Sequence, residues 1–115
     1  MQPEDRDTAF LWDILEAAKD IHDFVKKTTF KDFSSDKKTR YAVERQLLVI
    51  GEAAKGVSDS YKQKCPEIPW KSMVGLRNIL AHEYGEVLVE RIWLITTEKI
   101  PELIEVLNPL IPKIK

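Results

Sequence analysis

Apolar residues recur along most of this chain with the three- and four-residue spacing of an amphipathic helix. The first such run extends from about Asp7 to Lys27, and its apolar positions are Phe10, Leu11, Ile14, Leu15, Ala18, Ile21 and Val25. Trp12 and Phe24 widen the apolar stripe. Asp5 or Asp7 is expected to cap the helix, because a carboxylate there accepts from free first-turn N–H groups.

A second long helix is predicted from about Asp36 to Tyr61, after a polar connection from Thr28 to Lys38. Its apolar positions are Tyr41, Val43, Leu47, Leu48, Ile50, Ala54, Val57 and Tyr61. Gly51 and the alanines beside it form a small surface that would let another helix approach closely. The charged residues on this helix are interpreted as solvated groups that pair along the helix. They are Glu44, Arg45, Glu52 and Lys55.

The second half of the chain is divided by prolines. Pro66 and Pro69 prevent a helix from running straight through, and Pro69 suits the first turn of a third helix that ends near Tyr84 and Gly85. A further helix is predicted from Glu86, with a boundary or kink at Pro101. Residues 87–89 are the one short stretch of period-two pattern. We therefore predict an all-α fold, a four-helix up-and-down-type bundle with a short additional C-terminal helix, in one domain over residues 1–115.

Composition narrows the class of protein. The 115 residues are 43% hydrophobic and 32% charged, which is typical of a soluble globular domain. No apolar run approaches the roughly 20 residues of a membrane-spanning helix, and the N-terminus lacks the pattern of a signal peptide. A cytoplasmic protein without membrane contact is therefore expected.

The net charge and the small number of cysteines and histidines narrow the class of protein further. Cys65 is the single cysteine, so an internal disulfide is excluded. The two histidines lie far apart and give no zinc-ligand spacing, so we expect no metal and no cofactor. A net charge of −1 argues against a broad basic surface, so any contact with nucleic acid needs a local positive potential.

Polar groups interrupt the apolar pattern near the end of the third predicted helix, where Arg77, Asn78, His82 and Tyr84 fall within eight residues. On an ideal helix, Asn78 and His82 share one face, while Arg77 and Tyr84 share another. Asn78 would then be placed to orient the His82 ring. His82 would lie in the last turn, where the negative end of the helix dipole favours the imidazolium ion.

This set of side chains can be interpreted in two ways. Histidine can act as a general acid or base near neutral pH, and arginine binds two phosphate oxygens in a fork. Together they suit metal-free phosphodiester chemistry in which the ribose 2′-hydroxyl is the nucleophile. The alternative is a capping and hydrogen-bonding set, and spacing alone favours that alternative.

The other reactive or aromatic residues have simpler interpretations. His22 is expected at the surface, and Cys65 is expected to have no reactive role. The three tryptophans fit the helical stripes and are expected to anchor the core. They are Trp12, Trp70 and Trp93.

The octet RNILAHEY, residues 77–84, matches the Arg-x-x-x-x-His-x-Tyr signature of the HEPN superfamily, and the chain resembles its HepT-like toxin branch in particular. The resemblance extends to four further features. These are GEAAKGVS in the second helix, the PW that opens the third, the run GLRNILAHEYGEV, and a tryptophan-bearing helix ending in IPEL.

The resemblance implies a helical homodimer that brings two copies of the motif into one cleft. It implies a metal-independent endoribonuclease that cleaves RNA and acts as the toxin of a type II or type VII-like toxin–antitoxin system. Arg77 and His82 would be the catalytic pair and Asn78 a supporting polar residue. A cognate nucleotidyltransferase antitoxin would silence the toxin by adenylylation of Tyr84, which would become an O-AMP-tyrosine. A dimer also suits the chemistry, because one motif supplies one imidazole and acid and base roles need two groups.

Two alternatives remain open at the level of sequence. The chain could be a non-catalytic helical dimer module that binds a nucleotide or a protein through Arg77 and His82. It could also be a purely structural dimerisation domain, in which substitutions at these positions would lower stability.

Overall fold

Helices form nearly all of the protein in the computed structural model, which describes residues 3–111 and the side chains of residues 6–111. The helices are α1 Pro3–Val25, α2 Phe30–Ser35, α3 Lys37–Gly56, α4 Asp59–Lys64, α5 Trp70–Val74, α6 Leu76–His82, α7 Gly85–Leu94 and α8 Ile100–Leu107. A π-helical turn, Ile95–Lys99, joins α7 to α8, and a 3-10 turn, Asn108–Leu110, follows α8. Because residues 3–111 contain no strand, the predicted all-α class is confirmed.

The core lies between the long helices. α1 packs along α3 and also against α8, while α3 packs on its other side against α5 and α6. Fully buried side chains come from α1, α2, α3, α7 and α8 and include Ile14, Ile21, Phe33, Val43, Leu47, Ile50, Ile92 and Leu107. A single apolar cluster therefore holds the short helices α5 and α6 against the middle of α3.

The second predicted helix is two helices in the structure. α3 stops at Gly56, the backbone of Val57 and Ser58 is extended, and the Ser58 hydroxyl accepts from the Tyr61 N–H to cap α4. Asp7 fixes this corner, because its carboxylate accepts from the Ser58 N–H at 2.8 Å and the Ser58 hydroxyl at 2.7 Å. Hydrophobic spacing continues through this corner, so periodicity alone cannot reveal it.

The same contact corrects the predicted role of Asp7. α1 begins at Pro3, so Asp7 lies inside the helix and is buried against Ser58 rather than capping α1. The alternative cap, Asp5, has a side chain outside the described residues.

A short helix, α2, forms within the stretch predicted to be a polar connection. Thr29 and Asp36 accept from backbone N–H groups to cap α2 and α3, and hydrogen bonds from Thr39 lower the pKa of Asp36. The Phe33 ring is buried with its centroid 5.1 Å from that of Trp93. A buried ring and two helix caps therefore accompany a helix in a segment that looks polar in sequence.

The close approach predicted at Gly51 is confirmed. A Cβ added there would lie 3.1 Å from the carbonyl oxygen of Met73, which belongs to α5. That distance is tighter than nearly all real Cβ contacts, so glycine lets the backbone of α5 lie directly on α3. This contact sets the position of α6, which follows α5 immediately.

The predictions for single aromatic and histidine residues have mixed outcomes. Trp70 is buried and donates its indole N–H to the Cys65 carbonyl at 3.0 Å, and Trp93 is partly buried. Trp12 is exposed, so its predicted role as a core anchor is wrong. His22 is exposed, as predicted. None of the described helices is both long and apolar enough to cross a membrane.

Candidate active site

α6 presents the polar residues of the motif to solvent because its large apolar residues pack against the core. Leu76 is buried, and Ile79 and Leu80 are partly buried against the core cluster. Arg77, Asn78 and His82 are exposed. The helical period therefore explains how α6 is held, while Asn78 and His82 share one face and Arg77 lies roughly 140° around the helix axis from His82.

Arg77 makes one ion pair among the described residues. Its Nη1 lies 3.4 Å from Oε2 of Glu52, on α3. Both side chains are more than half exposed, so solvent and salt screen the attraction. The guanidinium is therefore held near α3 by a weak contact that an incoming phosphate can replace.

Glu52 shows a role that sequence reasoning missed. The helical spacing suggested a solvated charge that pairs along its own helix. The side chain is exposed, as predicted, but its ion pair is with a residue of another helix. Its recorded partner is Arg77, 25 positions further along the chain. Pairing between helices depends on how they cross, which hydrophobic spacing does not determine. The signal that existed was the GEAAKGVS segment of the family resemblance.

His82 lies in the last turn of α6, as predicted. Asn78 lies one turn earlier on the same face of the helix. Among the described residues, no hydrogen bond joins Asn78 to His82, so the expected orienting bond is absent from this single chain. Both side chains remain available to other groups.

Tyr84 lies outside the helix, so the prediction that it shares a helical face with Arg77 is wrong. α6 ends at His82, and the backbones of Glu83 and Tyr84 are both extended before α7 begins at Gly85. The extended backbone turns the phenol outward, and 80% of the Tyr84 surface is exposed. The hydroxyl is therefore freely accessible two residues beyond the imidazole.

Glu83 is the member of this turn that sequence reasoning did not single out. Its N–H donates to the Ile79 carbonyl at 3.0 Å and so closes the last turn of α6. Its Oε2 lies 3.3 Å from Nη1 of Arg91, on α7. Its other carboxylate oxygen, Oε1, is buried and has no hydrogen-bond partner among the described residues. The one hint in the sequence that Glu83 has a role was its position as an acidic residue inside the motif octet.

Arg77, Asn78, His82 and Tyr84 do not line either of two cavities found between the described helices. A cavity of about 510 Å³ lies among α3, α5, α6, α7 and α8, and α6 contributes Leu76 and Ile79 to it. A groove of about 420 Å³ between α1 and α3 includes Glu52. Arg77, His82 and Tyr84 therefore form an open surface rather than an enclosed pocket.

The described residues contain no cluster of three or more histidine, cysteine or acidic side chains that could hold a metal ion.

The three described tyrosines differ in environment. Burial and a hydrogen bond with Cys65 raise the pKa of Tyr61 to about 12, whereas Tyr41 and Tyr84 are exposed. Arg77, Asn78, His82 and Tyr84 thus supply a cation, an amide, an imidazole and a phenol, and all four side chains are exposed.

Comparison with known proteins identifies the class to which this surface belongs. A family model described as "Ribonuclease HepT-like" matches residues 14–110, which include every helix that contributes to the site. The chain belongs to the HepT-like ribonuclease family. The resemblance drawn from the RNILAHEY octet is therefore confirmed, and the family is one of RNA-cleaving enzymes.

Individual relatives agree with this family. The "Probable ribonuclease HepT" of Thermococcus cleftensis is 44% identical over 82% of this chain and 86% of its own length. Two proteins of Methanocaldococcus jannaschii that are named as candidate RNases are also similar. One is 44% identical over 83% of this chain and 87% of its own length, and the other is 46% identical over 93% and 88%. No solved structure matches the chain.

Proposed function

We propose that this chain is a metal-independent endoribonuclease that acts as a homodimer, with Arg77 and His82 as its catalytic residues. One observation carries the proposal: in a chain of a ribonuclease family, α6 exposes both an arginine and a histidine, and neither has a strong polar partner among the described residues. Cytoplasmic RNA is the proposed substrate, and Asn78 is a supporting polar group in the same site.

The proposed reaction is an attack of the ribose on its own phosphodiester. A neutral imidazole of His82 removes the proton of the 2′-hydroxyl, and the 2′-oxygen then forms a bond to phosphorus. The bond from phosphorus to the 5′-oxygen breaks, and that oxygen takes a proton from a second, protonated imidazole. The products are a 2′,3′-cyclic phosphate and a 5′-hydroxyl. Arg77 stabilises the extra negative charge on the phosphate oxygens in the transition state.

The need for a second imidazole supports a second copy of the chain. A symmetric pair would bring His82 and Arg77 from each chain to one cleft and would supply the local positive charge that a net charge of −1 lacks. The open surface around α6 fits this arrangement, because Arg77 and His82 line neither of the two cavities found between the described helices.

Two exposed apolar side chains on α7 also support the dimer. Val87 and Leu94 lie seven residues apart, and so on one face of the helix, with 63% and 52% of their surfaces exposed. Val87 lies three residues after Tyr84. Exposed apolar surface beside a polar site is typical of a surface that a protein partner covers.

The biological role that we propose is that of a toxin silenced by a cognate nucleotidyltransferase antitoxin that adenylylates Tyr84. The support is the exposure of this phenol and its position in the octet, two residues beyond His82. The added AMP would put a phosphate where the phosphate of the RNA has to bind. It would therefore block the site by occupancy and by charge.

The catalytic proposal is tested by incubating purified protein with RNA in EDTA and identifying the new RNA ends. Cleavage with 2′,3′-cyclic phosphate ends is expected, and Arg77→Ala and His82→Ala should each lower the rate by at least about 100-fold. Matched controls are Arg45→Ala on α3 and His22→Ala on α1, which should cleave like the parent because both side chains lie exposed on other helices.

Three results would overturn the catalytic proposal. Cleavage that stops in EDTA would contradict metal independence. Variants at Arg77 and His82 that cut as well as the parent would remove these residues from catalysis. RNA that is bound but stays intact would favour the non-catalytic binding module instead.

The silencing proposal is tested by mass spectrometry after incubation with a cognate nucleotidyltransferase and ATP. The phenol oxygen forms a bond to the α-phosphorus of ATP and pyrophosphate leaves, so the parent chain should gain the mass of one adenylyl group, which is AMP less one water, and Tyr84→Phe should not. Tyr41→Phe is the matched control, because Tyr41 is also an exposed tyrosine but lies on α3. Loss of modification in Tyr41→Phe, or its persistence in Tyr84→Phe, would refute Tyr84 as the modified residue.

A further inference from the structure

The turn that carries His82 and Tyr84 connects two helices that rest on different parts of the molecule. α6 packs mainly against α3 and α5. α7 packs against α2 and continues into the π-helical turn. The relative position of the imidazole and the phenol therefore depends on what holds α6 and α7 together at this turn.

The other side chains of the turn do not hold it. Tyr84 points outward, and His82 is exposed and has no hydrogen bond or ion pair among the described residues. At Gly85 the backbone is in the left-handed region with φ of 69°, and no atom lies within 4 Å of where a Cβ would be. Among the described residues, Glu83 is therefore the member of the 82–85 stretch whose side chain forms a polar contact.

Glu83 alone in this turn directs its side chain inward. Its side chain is 26% exposed and forms an ion pair with Arg91, which is half exposed. Arg91 is the seventh residue of α7, about 9 Å along the helix axis from Gly85 at 1.5 Å per residue. The Glu83–Arg91 pair therefore ties the end of α6 to the second turn of α7.

The burial of Glu83 makes this pair sensitive to the loss of Arg91. Oε1 of Glu83 is buried and has no hydrogen-bond partner among the described residues. The ion pair of Oε2 with Arg91 is therefore the contact that offsets the cost of burying part of this charge. A buried polar group that loses its partner bears the full cost of desolvation. Without Arg91, the carboxylate would move toward solvent, and the backbone between His82 and Tyr84 would move with it.

We propose that Glu83 and Arg91 are positioning residues that fix His82 and Tyr84 relative to Arg77. This inference deepens the proposed ribonuclease function and rests on it. Neither residue touches the reacting atoms in this proposal. They act by holding the turn, so their loss lowers the rate of the chemical step while the binding of RNA through Arg77 persists.

The first test is hydrogen exchange of the backbone, which does not depend on catalysis. In Arg91→Met, amides of residues 82–88 should exchange several-fold faster than in the parent, while those of α1 stay unchanged. Arg91→Lys keeps the positive charge, so its exchange rates should lie between those of the parent and those of Arg91→Met. The controls are Arg45→Met and Glu98→Gln, which remove exposed charges elsewhere. Unchanged exchange in Arg91→Met would overturn the proposal.

The second test is a kinetic cycle of Glu83→Gln, Arg91→Met and the double variant on RNA. Each single variant should lower kcat by about 10- to 100-fold with little change in KM. The double variant should be no slower than Arg91→Met, because each substitution removes the same Glu83–Arg91 interaction. Single effects that multiply in the double variant, or a kcat equal to that of the parent, would contradict positioning.

The two tests separate failure of this inference from failure of the proposed function. If the parent chain cleaves no RNA, the ribonuclease proposal and the positioning role that rests on it are both overturned. Suppose instead that the parent cleaves RNA, and that in Arg91→Met the amides of residues 82–88 exchange faster while kcat is unchanged. The positioning role alone is then overturned.

Discussion

Arg77 is bound to a carboxylate in the free chain, and that contact determines how it meets a phosphate. Glu52 approaches the guanidinium to 3.4 Å, at the long end of an ion-pair contact, and both groups are solvated. A phosphate offers two oxygens in the geometry of the guanidinium fork, whereas this contact uses one nitrogen. RNA binding should therefore proceed by exchange of Glu52 for a phosphate.

Glu52→Gln should strengthen RNA binding by up to about fivefold, because an exposed ion pair contributes roughly 0.2–1 kcal/mol. The measurement is the Kd for RNA in the His82→Ala background, where the RNA should stay intact. Glu98→Gln makes the same charge change on an exposed part of the π-helical turn and is the control. Binding that is unchanged or weaker in Glu52→Gln would contradict a competing role for Glu52.

At the scale of residues, the sequence predicted the polar side chains that a single helix exposes. It did not predict the ion pairs that join different parts of the fold. Arg77, Asn78 and His82 were predictable because they interrupt the apolar pattern of α6 and stay exposed. Glu52 and Arg91 were not, since their partners lie outside their own helices and depend on the tertiary arrangement. Whether Arg77 and His82 catalyse a reaction is still a prediction.

At the scale of elements, the turn between α6 and α7 depends on Gly85. Its φ of 69° lies in the left-handed region, which costs a residue with a Cβ roughly 1–2 kcal/mol. Space is not the constraint, because no atom lies within 4 Å of the added Cβ. Only the backbone conformation opposes substitution here.

Gly85→Ala should therefore lower the free energy of unfolding by about 1 kcal/mol, measured by urea denaturation. Gly85→Asn is the discriminating variant, because asparagine tolerates the left-handed region and should be less destabilising than alanine despite its larger side chain. An alanine variant as stable as the parent, or an asparagine variant less stable than the alanine one, would contradict a purely conformational role for Gly85.

Long helices were predictable from hydrophobic spacing, and their breaks were not. α1 was predicted from about Asp7 to Lys27 and spans Pro3–Val25. The break at Gly75 was missed, because apolar spacing continues across it from α5 into α6. Such breaks depend on local hydrogen bonds, and these leave the apolar pattern unchanged.

The boundary predicted at Pro101 takes a different form in the structure. The chain widens into the π-helical turn Ile95–Lys99, with the Ile100 N–H donating to the Ile95 carbonyl, and α8 begins just before the proline. Proline clashes with the carbonyl four residues earlier in an ordinary helix. A wide turn immediately before Pro101 accommodates the proline and lets the helical path continue.

At the scale of the whole molecule, the site lies open on one chain. Arg77, His82 and Tyr84 line neither of the two cavities, and Val87 and Leu94 continue the exposed surface along α7. A pattern of polar and apolar residues cannot show which exposed face another copy covers, because the interface is still surface in the single chain. The central claim is that each chain contributes half of a ribonuclease site.

The most direct test of that claim is the specific ribonuclease activity as a function of chain concentration, with the dimer fraction measured by sedimentation at the same concentrations. Activity per chain should fall on dilution in parallel with the dimer fraction. Leu94→Glu, which places a charge in the proposed interface, should shift both curves together to higher concentration. Activity per chain that stays constant while the dimer dissociates would show that one chain forms the whole site and would contradict the account.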